Sequence, residues 1–295
     1  MTTWVSDGTE ILLPDLMALA RQAQQPEKRL MAKRQQQSTR RSVFHGRGME
    51  YSESRAYQPG DEVRHLDWRL LARTGDAYSK QFHEERDRPT WLWTDLSAPM
   101  WFGSVKLLKS VQAAHLAACL GWAAIQRSDA VGGMVFGDRI RDCRTGRGRA
   151  ALMRYLHLLA EPSMHWQQDA GQALQALAQL NRAVKTGGRV HLISDFHWLN
   201  EASVPLLRQL SRHNDVVAWQ ILDPLELKAP NKRLSLAFKS DAGVMTAVFN
   251  RRRNKAYNEQ MQRQLAKQQQ WLQSAMVTQQ TVFTNDWLGG AHVTA

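Results

Sequence analysis

Apolar and polar residues change rhythm along this chain. Leu12, Leu16, Leu19 and Ala20 recur at helical spacing, which predicts a short amphipathic helix following Pro14. Val63, Leu66, Leu70 and Leu71 share one face of a second short helix, with Asp61 as its cap after the turn Gln58-Pro59-Gly60-Asp61. From residue 90 the rhythm becomes an alternation. Thr90 to Asp95, Ala130 to Phe136, Arg189 to Ile193, Val216 to Leu222 and Val277 to Thr284 read as strands. Ser104 to Arg127, Ala150 to Ala160, Gly171 to Val184, Ala202 to Ser211 and Asn254 to Ser274 read as helices. The long helix carries Val105, Leu108, Val111, His115, Ala118 and Trp122 along one stripe. Ile140 to Cys143 fits an antiparallel edge strand, and Arg233 to Phe249 a hairpin turning at Asp241-Ala242-Gly243.

Strands alternating with helices predict an α/β fold: a doubly wound, mostly parallel sheet of Rossmann type, covered by helices on both faces. The expected division is an N-terminal charged extension over residues 1–89 and the α/β domain over 90–295. In such sheets ligands bind at the carboxyl ends of the strands, where the strand order reverses. Asp95, Asp138, Asp195 and Asp223 all fall at or just past predicted strand ends.

Composition narrows the class. With 295 residues, 43% hydrophobic and 22% charged, the chain can build a core of ordinary size. Cys119 and Cys143 lack the spacing of a metal knuckle and fit a reducing compartment. No signal peptide opens the chain, and the apolar run His115 to Ile125 is too short to span a bilayer, so a soluble cytoplasmic protein is expected. The net charge of +12 fits an acidic protein surface or a nucleic acid as partner. Its densest clusters are Lys28 to Arg47 and Arg251 to Lys255.

Thr94-Asp95-Leu96-Ser97-Ala98-Pro99-Met100 nearly spells Asp-x-Ser-x-Ser, the first loop of a metal-ion-dependent adhesion site. A hard cation such as Mg²⁺ wants carboxylate, hydroxyl and water oxygens, and Asp95 and Ser97 alternate so that both can face one point. Asp195, from a separate strand, would complete the cradle. On spacing alone Asp-x-Ser is a weak metal signal, and capping of the following helices, common at such loops, is the more ordinary explanation of Asp95 and Asp195. Trp101 and Trp198 lie just past these loops, as the rim of a partner crevice or as core. His83, His157, His191 and His197 show no ligand spacing.

The block Arg55-Ala56-Tyr57-Gln58-Pro59-Gly60-Asp61-Glu62-Val63-Arg64-His65-Leu66-Asp67-Trp68-Arg69-Leu70-Leu71-Ala72-Arg73, followed by Phe82-His83-Glu84-Glu85 and Asp95-Leu96-Ser97, resembles the signature of domain-of-unknown-function family fifty-eight over roughly residues 46 to 200. The resemblance implies a von Willebrand factor A-like later half. It also implies a non-enzymatic adaptor working with a MoxR-type AAA+ ATPase in assembly or chaperone-like tasks. Many relatives carry N-terminal transmembrane helices, and this chain resembles a short soluble form. By the same resemblance Asp95, Ser97 and Asp195 match a degenerate adhesion site. Pro99 stands in place of its second serine, and Ser163 or Asp169 in place of its middle-loop threonine. Arg64, Asp67, Trp68 and Arg69 become candidate partner contacts, although their spacing alone reads as a salt-bridged surface.

Enzyme signatures are weak. The chain has no Gly-x-Ser-x-Gly elbow and no Walker loop, and Gly146-Arg147-Gly148-Arg149 reads as an ordinary turn before a helix. A non-enzymatic binding module is therefore expected, with nucleic-acid binding through basic arms and metal-dependent hydrolysis as the alternatives.

Overall fold

A computed structural model describes residues 7–21, 49–58, 66–84, 88–161, 170–230, 234–240, 243–249 and 251–286. The chain divides into two compact units: residues 39–88, and residues 1–38 together with 89–295.

The larger unit is built on a six-stranded sheet. Its strands are β3 (Thr90–Asp95), β4 (Val131–Phe136), β5 (Arg141–Gly146), β6 (Arg189–Ser194), β7 (Asp215–Leu222) and β10 (Thr278–Phe283). They lie in the order β10-β7-β6-β3-β4-β5. All pairs are parallel except β4 with β5, so the expected antiparallel edge strand is present, shifted to Arg141–Gly146. The hairpin β8 (Leu234–Ser240) and β9 (Gly243–Phe249) forms its own two-stranded sheet.

Helices cover both faces, which is why β3 is buried along its whole length and reads as an unbroken apolar run. Leu92, Leu96, Ile193, Val217 and Ile221 point into one core with α1 (Leu13–Ala18), α3 (Lys109–Gln126) and α4 (Gly148–Ala160). Trp91, Trp93, Val190, Leu192 and Ala218 point into the other, with α5 (Ala170–Ala183), α6 (Ser203–His213) and α8 (Arg251–Ser274). The period-two alternation of each strand sends neighbouring residues to opposite cores. The helix α1, placed by sequence in the N-terminal extension, belongs to the larger unit. Leu16 and Leu19 lie in the first core, and Trp122 Nε1 donates to the Leu16 carbonyl at 3.0 Å.

The long central helix differs from its expected range. It begins at Lys109 rather than Ser104, and Val105, expected on its apolar stripe, is 64% exposed. Residues 104–108 form a loop because Asp223 captures both the amide and the hydroxyl of Ser104. From Lys109 to Ala124 every residue is buried, so α3 is a central helix rather than a surface one.

In the smaller unit, β1 (Met49–Ala56) pairs antiparallel with β2 (Tyr78–Glu84). Neither segment shows a strand pattern in the sequence, because both mix charged and polar residues throughout. Asp67 caps the intervening helix α2 (Trp68–Thr74), accepting from the amides of Arg69 and Leu70 at 3.2 and 3.1 Å. The helix ends where Gly75 takes φ 79°, a left-handed stop that glycine adopts without strain. The remaining expectations for Asp61, Val63, Arg64, the turn at 59–60, the basic arm at 28–47, Ser163, Asp169 and the hairpin turn at 241–242 lie outside the described residues.

Candidate functional site

The sheet order reverses between β3 and β6: the chain leaves β3 for β4 on one side, then returns to place β6 on the other. This is the point at which a crevice opens beyond the carboxyl ends of a doubly wound sheet. Asp95 ends β3, and Ser194-Asp195 ends β6, so the fold brings the two expected aspartates to this point.

Asp95 is fully buried and fully engaged. Its Oδ1 accepts from the Ser97 amide at 2.9 Å and the Ser97 hydroxyl at 2.5 Å, and its Oδ2 accepts from the Ser194 hydroxyl at 2.5 Å. Burial and, next, the charge of Asp195 push its carboxyl up to about 7, against the pull of these hydrogen bonds. Ser97 then starts a 3₁₀ turn, Ala98–Met100, and Pro99 sits in its first residues, where a missing N–H costs nothing. Pro99 thus has a structural use beyond the loss of a serine.

Asp195 lives in a different electrostatic setting. Its Oδ2 accepts from Lys109 Nζ at 2.8 Å, and its Oδ1 from the His197 amide at 3.0 Å. The same ammonium donates to Glu226 Oε1 at 2.7 Å. Burial opposes ionisation of Asp195, but Lys109 and then His197 outweigh it and hold the carboxyl below its usual range. Burial likewise opposes the charge on Lys109, and the two carboxylates outweigh it, pushing the ammonium up to about 12. His197 Nε2 lies 3.5 Å from Glu226 Oε1 and 4.0 Å from Asp195 Oδ2, and joins this network to the surface. The loop that arranges it is strained. Phe196, buried in the second core, has φ 59°, which an aromatic residue adopts only under constraint. Its amide donates to Ser194 Oγ at 2.9 Å, and its carbonyl accepts from Gln268 at 2.9 Å.

Asp223 does other work. It caps α7 (Pro224–Leu227) through the Leu225 amide, and its two oxygens also take Ser104 and the Thr284 hydroxyl. Glu226 closes this capping box by accepting from the Asp223 amide at 2.8 Å. Asp138 lies in the β4–β5 turn beside Arg141, 3.4 Å away, and is no part of the crevice residues above.

The flanking tryptophans separate. Trp198 is 8% exposed, donates to Ser194 Oγ at 3.0 Å and meets Trp93 edge-on at 5.5 Å, so it is core rather than rim. Trp101 is half-buried and donates to the Leu96 carbonyl at 2.9 Å, bracing the Asp95 loop. In the smaller unit Asp67 is the helix cap, while Trp68, 60% exposed, and Arg69 stand outward. Arg64 lies outside the described residues.

Beside the Asp195 loop a cavity of about 380 Å³ opens against α8. His197, Arg263, Gln264 and Lys267 line it with donors, over Leu199 and Trp271, and no carboxylate is among its lining residues. Among the described residues no group of three or more His, Cys, Asp or Glu is arranged to hold a metal ion. No helix among them is long and apolar enough to cross a membrane.

Lys109, Ser194, His197 and Glu226 were not singled out as site residues from sequence. Lys109 carried a signal: it is the only charged residue between Lys106 and Arg127. Glu226 carried another, the spacing Asp223-Pro224-Leu225-Glu226 of a capping box. Neither signal names the partner across the fold.

Among curated proteins, the chain is 28% identical over 208 residues to uncharacterized proteins of Mycobacterium bovis and of Mycobacterium tuberculosis, a match covering 68% of this chain and 63% of each relative. Among solved structures, it resembles the conserved hypothetical protein BatB from Bacteroides thetaiotaomicron (TM-score 0.45, 15% identity, 66% of this chain and 90% of that one). It also resembles an aerotolerance-related membrane protein from Bacteroides fragilis (TM-score 0.42, 13% identity, 66% of this chain and 91% of that one). The model of the family described as "Protein of unknown function DUF58" matches residues 53–270, well past the stretch that the sequence signature suggested. The chain is a member of the DUF58 family of proteins of unknown function.

Proposed function

We propose that this chain is a non-enzymatic, cytoplasmic protein-binding module of von Willebrand A-like design, an adaptor for a MoxR-type AAA+ ATPase. The observation that carries the proposal is the side-by-side placement of the Asp95–Ser97 and Ser194–His197 loops at the switch point of a parallel sheet. Its rim is electropositive. His197, Arg263 and Lys267 line one cavity; Glu226 and Glu259 approach the first two at 3.5 and 3.6 Å but are not among its lining residues, so the wall itself presents donors, which suits an acidic segment of the partner. The single antiparallel edge strand, β5, is compatible with the von Willebrand A-like reading. Buried carboxylates with every oxygen engaged serve to fix the loops, and the exposed side chains beside them make the contact.

The test uses the purified MoxR-type ATPase of the same genome and measures its affinity for this chain by biolayer interferometry. Arg263→Glu/Lys267→Glu, on an exposed helix face, is expected to weaken binding at least about tenfold with the melting temperature unchanged. Wild-type affinity in that variant would remove the cavity from the interface, and no binding by the wild-type chain would remove the ATPase as partner. A labelled oligonucleotide bound more tightly than the ATPase at physiological salt would favour the nucleic-acid alternative instead.

A further inference from the structure

We propose that the switch-point site carries a resident cation of its own, the Lys109 ammonium, and that this chain uses no divalent ion there. The sequence resemblance points to a metal loop, and the donor set decides against it through what Lys109 does. Of the expected ligands, Asp195 is the one that would bring a full negative charge from the second loop. Its Oδ2 is already 2.8 Å from Lys109 Nζ. The ammonium is 2% exposed, and Glu226 Oε1, 2.7 Å away, takes a second of its three donors. A buried lysine so placed supplies from inside the fold the charge compensation that two buried carboxylates require.

Geometry also fixes Lys109 in this role. It is the first residue of α3, where the helix dipole disfavours a cation, so its position is sustained by the carboxylates and not by the helix. Leu108, next to it, is extended, and Lys109 N donates to the Phe102 carbonyl at 2.8 Å, which anchors the helix start. Asp95, the remaining carboxylate, spends Oδ1 on Ser97 and Oδ2 on Ser194. A divalent ion at Asp195 would have to displace a tethered ammonium held by two charge-assisted hydrogen bonds.

Removing the ammonium should open a divalent-ion site different from the one the sequence resembles, sharing only Asp195 with it. In Lys109→Ala, Asp195 Oδ2 and Glu226 Oε1 would converge on one vacated point, with His197 Nε2 3.5 Å from Glu226 Oε1. Two carboxylates and an imidazole suit Mn²⁺. This inference is independent of the partner proposed above, because its readouts are metal uptake and stability. Mn²⁺ binding is followed by electron paramagnetic resonance, and melting temperature with and without millimolar Mn²⁺. Wild-type is expected to show no saturable Mn²⁺ binding and no shift in melting temperature. Lys109→Ala is expected to melt about 10 °C lower, and Mn²⁺ is expected to recover part of that loss. Lys109→Ala/Asp195→Asn is expected to lose the recovery. Saturable Mn²⁺ binding by wild-type that Asp195→Asn abolishes would overturn the proposal, whether or not the Lys109 variants fold. So would a Lys109→Ala protein as stable as wild-type without metal.

Discussion

Asp95 and Asp195 carry the same side chain to the same crevice, and their neighbours drive them in opposite directions. Asp195 has an ammonium that outweighs its burial and stays charged; Asp95 has none, so burial and then the Asp195 charge raise its carboxyl to about 7 against the pull of its hydroxyl and amide donors. The native state therefore binds a proton at Asp95 more tightly than the unfolded chain does. Its contribution to stability falls as pH rises from about 4 to about 7. His115, buried and pushed down to about 4, works in the other direction: it must lose its proton to fold, so its contribution rises with pH between about 4 and 6.5. Urea unfolding of wild-type and Asp95→Asn at several pH values between 4.5 and 6.5 separates them. The difference should move in favour of the variant by roughly 1 kcal/mol per pH unit, and a pH-independent difference would place the Asp95 proton elsewhere. Asp223 is a different case, a buried carboxylate whose donors come from three segments: Ser104, Leu225 and Thr284. Asp223→Ala strands those donors and is expected to cost about 3 kcal/mol or more in urea unfolding.

At the scale of elements, β4 shows how closely the layers meet. Gly133 pairs with Leu92 on β3, and a Cβ there would run into the Tyr155 ring of α4 and the Leu92 carbonyl. A strand glycine often marks such an approach. Tyr155 cannot retreat freely, since its hydroxyl is 2.6 Å from Thr94 Oγ1 on β3. Gly133→Ala should therefore lower stability by about 2–3 kcal/mol in thermal or urea unfolding, whereas the same change at Gly75 is limited to the strain of its positive φ. Elements were the most legible part of the sequence. Thr90–Asp95 has the bounds its apolar run predicts, and the other sheet strands shift by a few residues at most. The start of α3 was not legible, because residues 104–108 are helix-compatible in isolation and are pulled into a loop by Asp223, more than a hundred residues away. The pair β1–β2 was not legible either, since its strands carry charges where a half-buried strand would show alternation.

For the whole molecule, the excess of positive charge acts over a longer range than any one contact. With a net charge of +12 and a basic cavity beside the Asp195 loop, association with an acidic partner should be fast at low salt and should slow as ionic strength rises. Stopped-flow association with the proposed ATPase partner between low and physiological salt reads this directly. A rate indifferent to salt would assign the contact to apolar surface.

The alternation of apolar runs by itself determined the α/β class, the parallel sheet with one antiparallel edge, and the arrival of Asp95 and Asp195 at strand ends. These follow from local periodicity and from the rule that such strands need helices on both faces. Only the tertiary structure decided what those aspartates do. Lys109, Glu226 and Asp195 are far apart in sequence and meet only when α3, α7 and the loop after β6 converge. Whether a carboxylate meets a buried ammonium, a hydroxyl or open space depends on that convergence, and it sets the charge of the site.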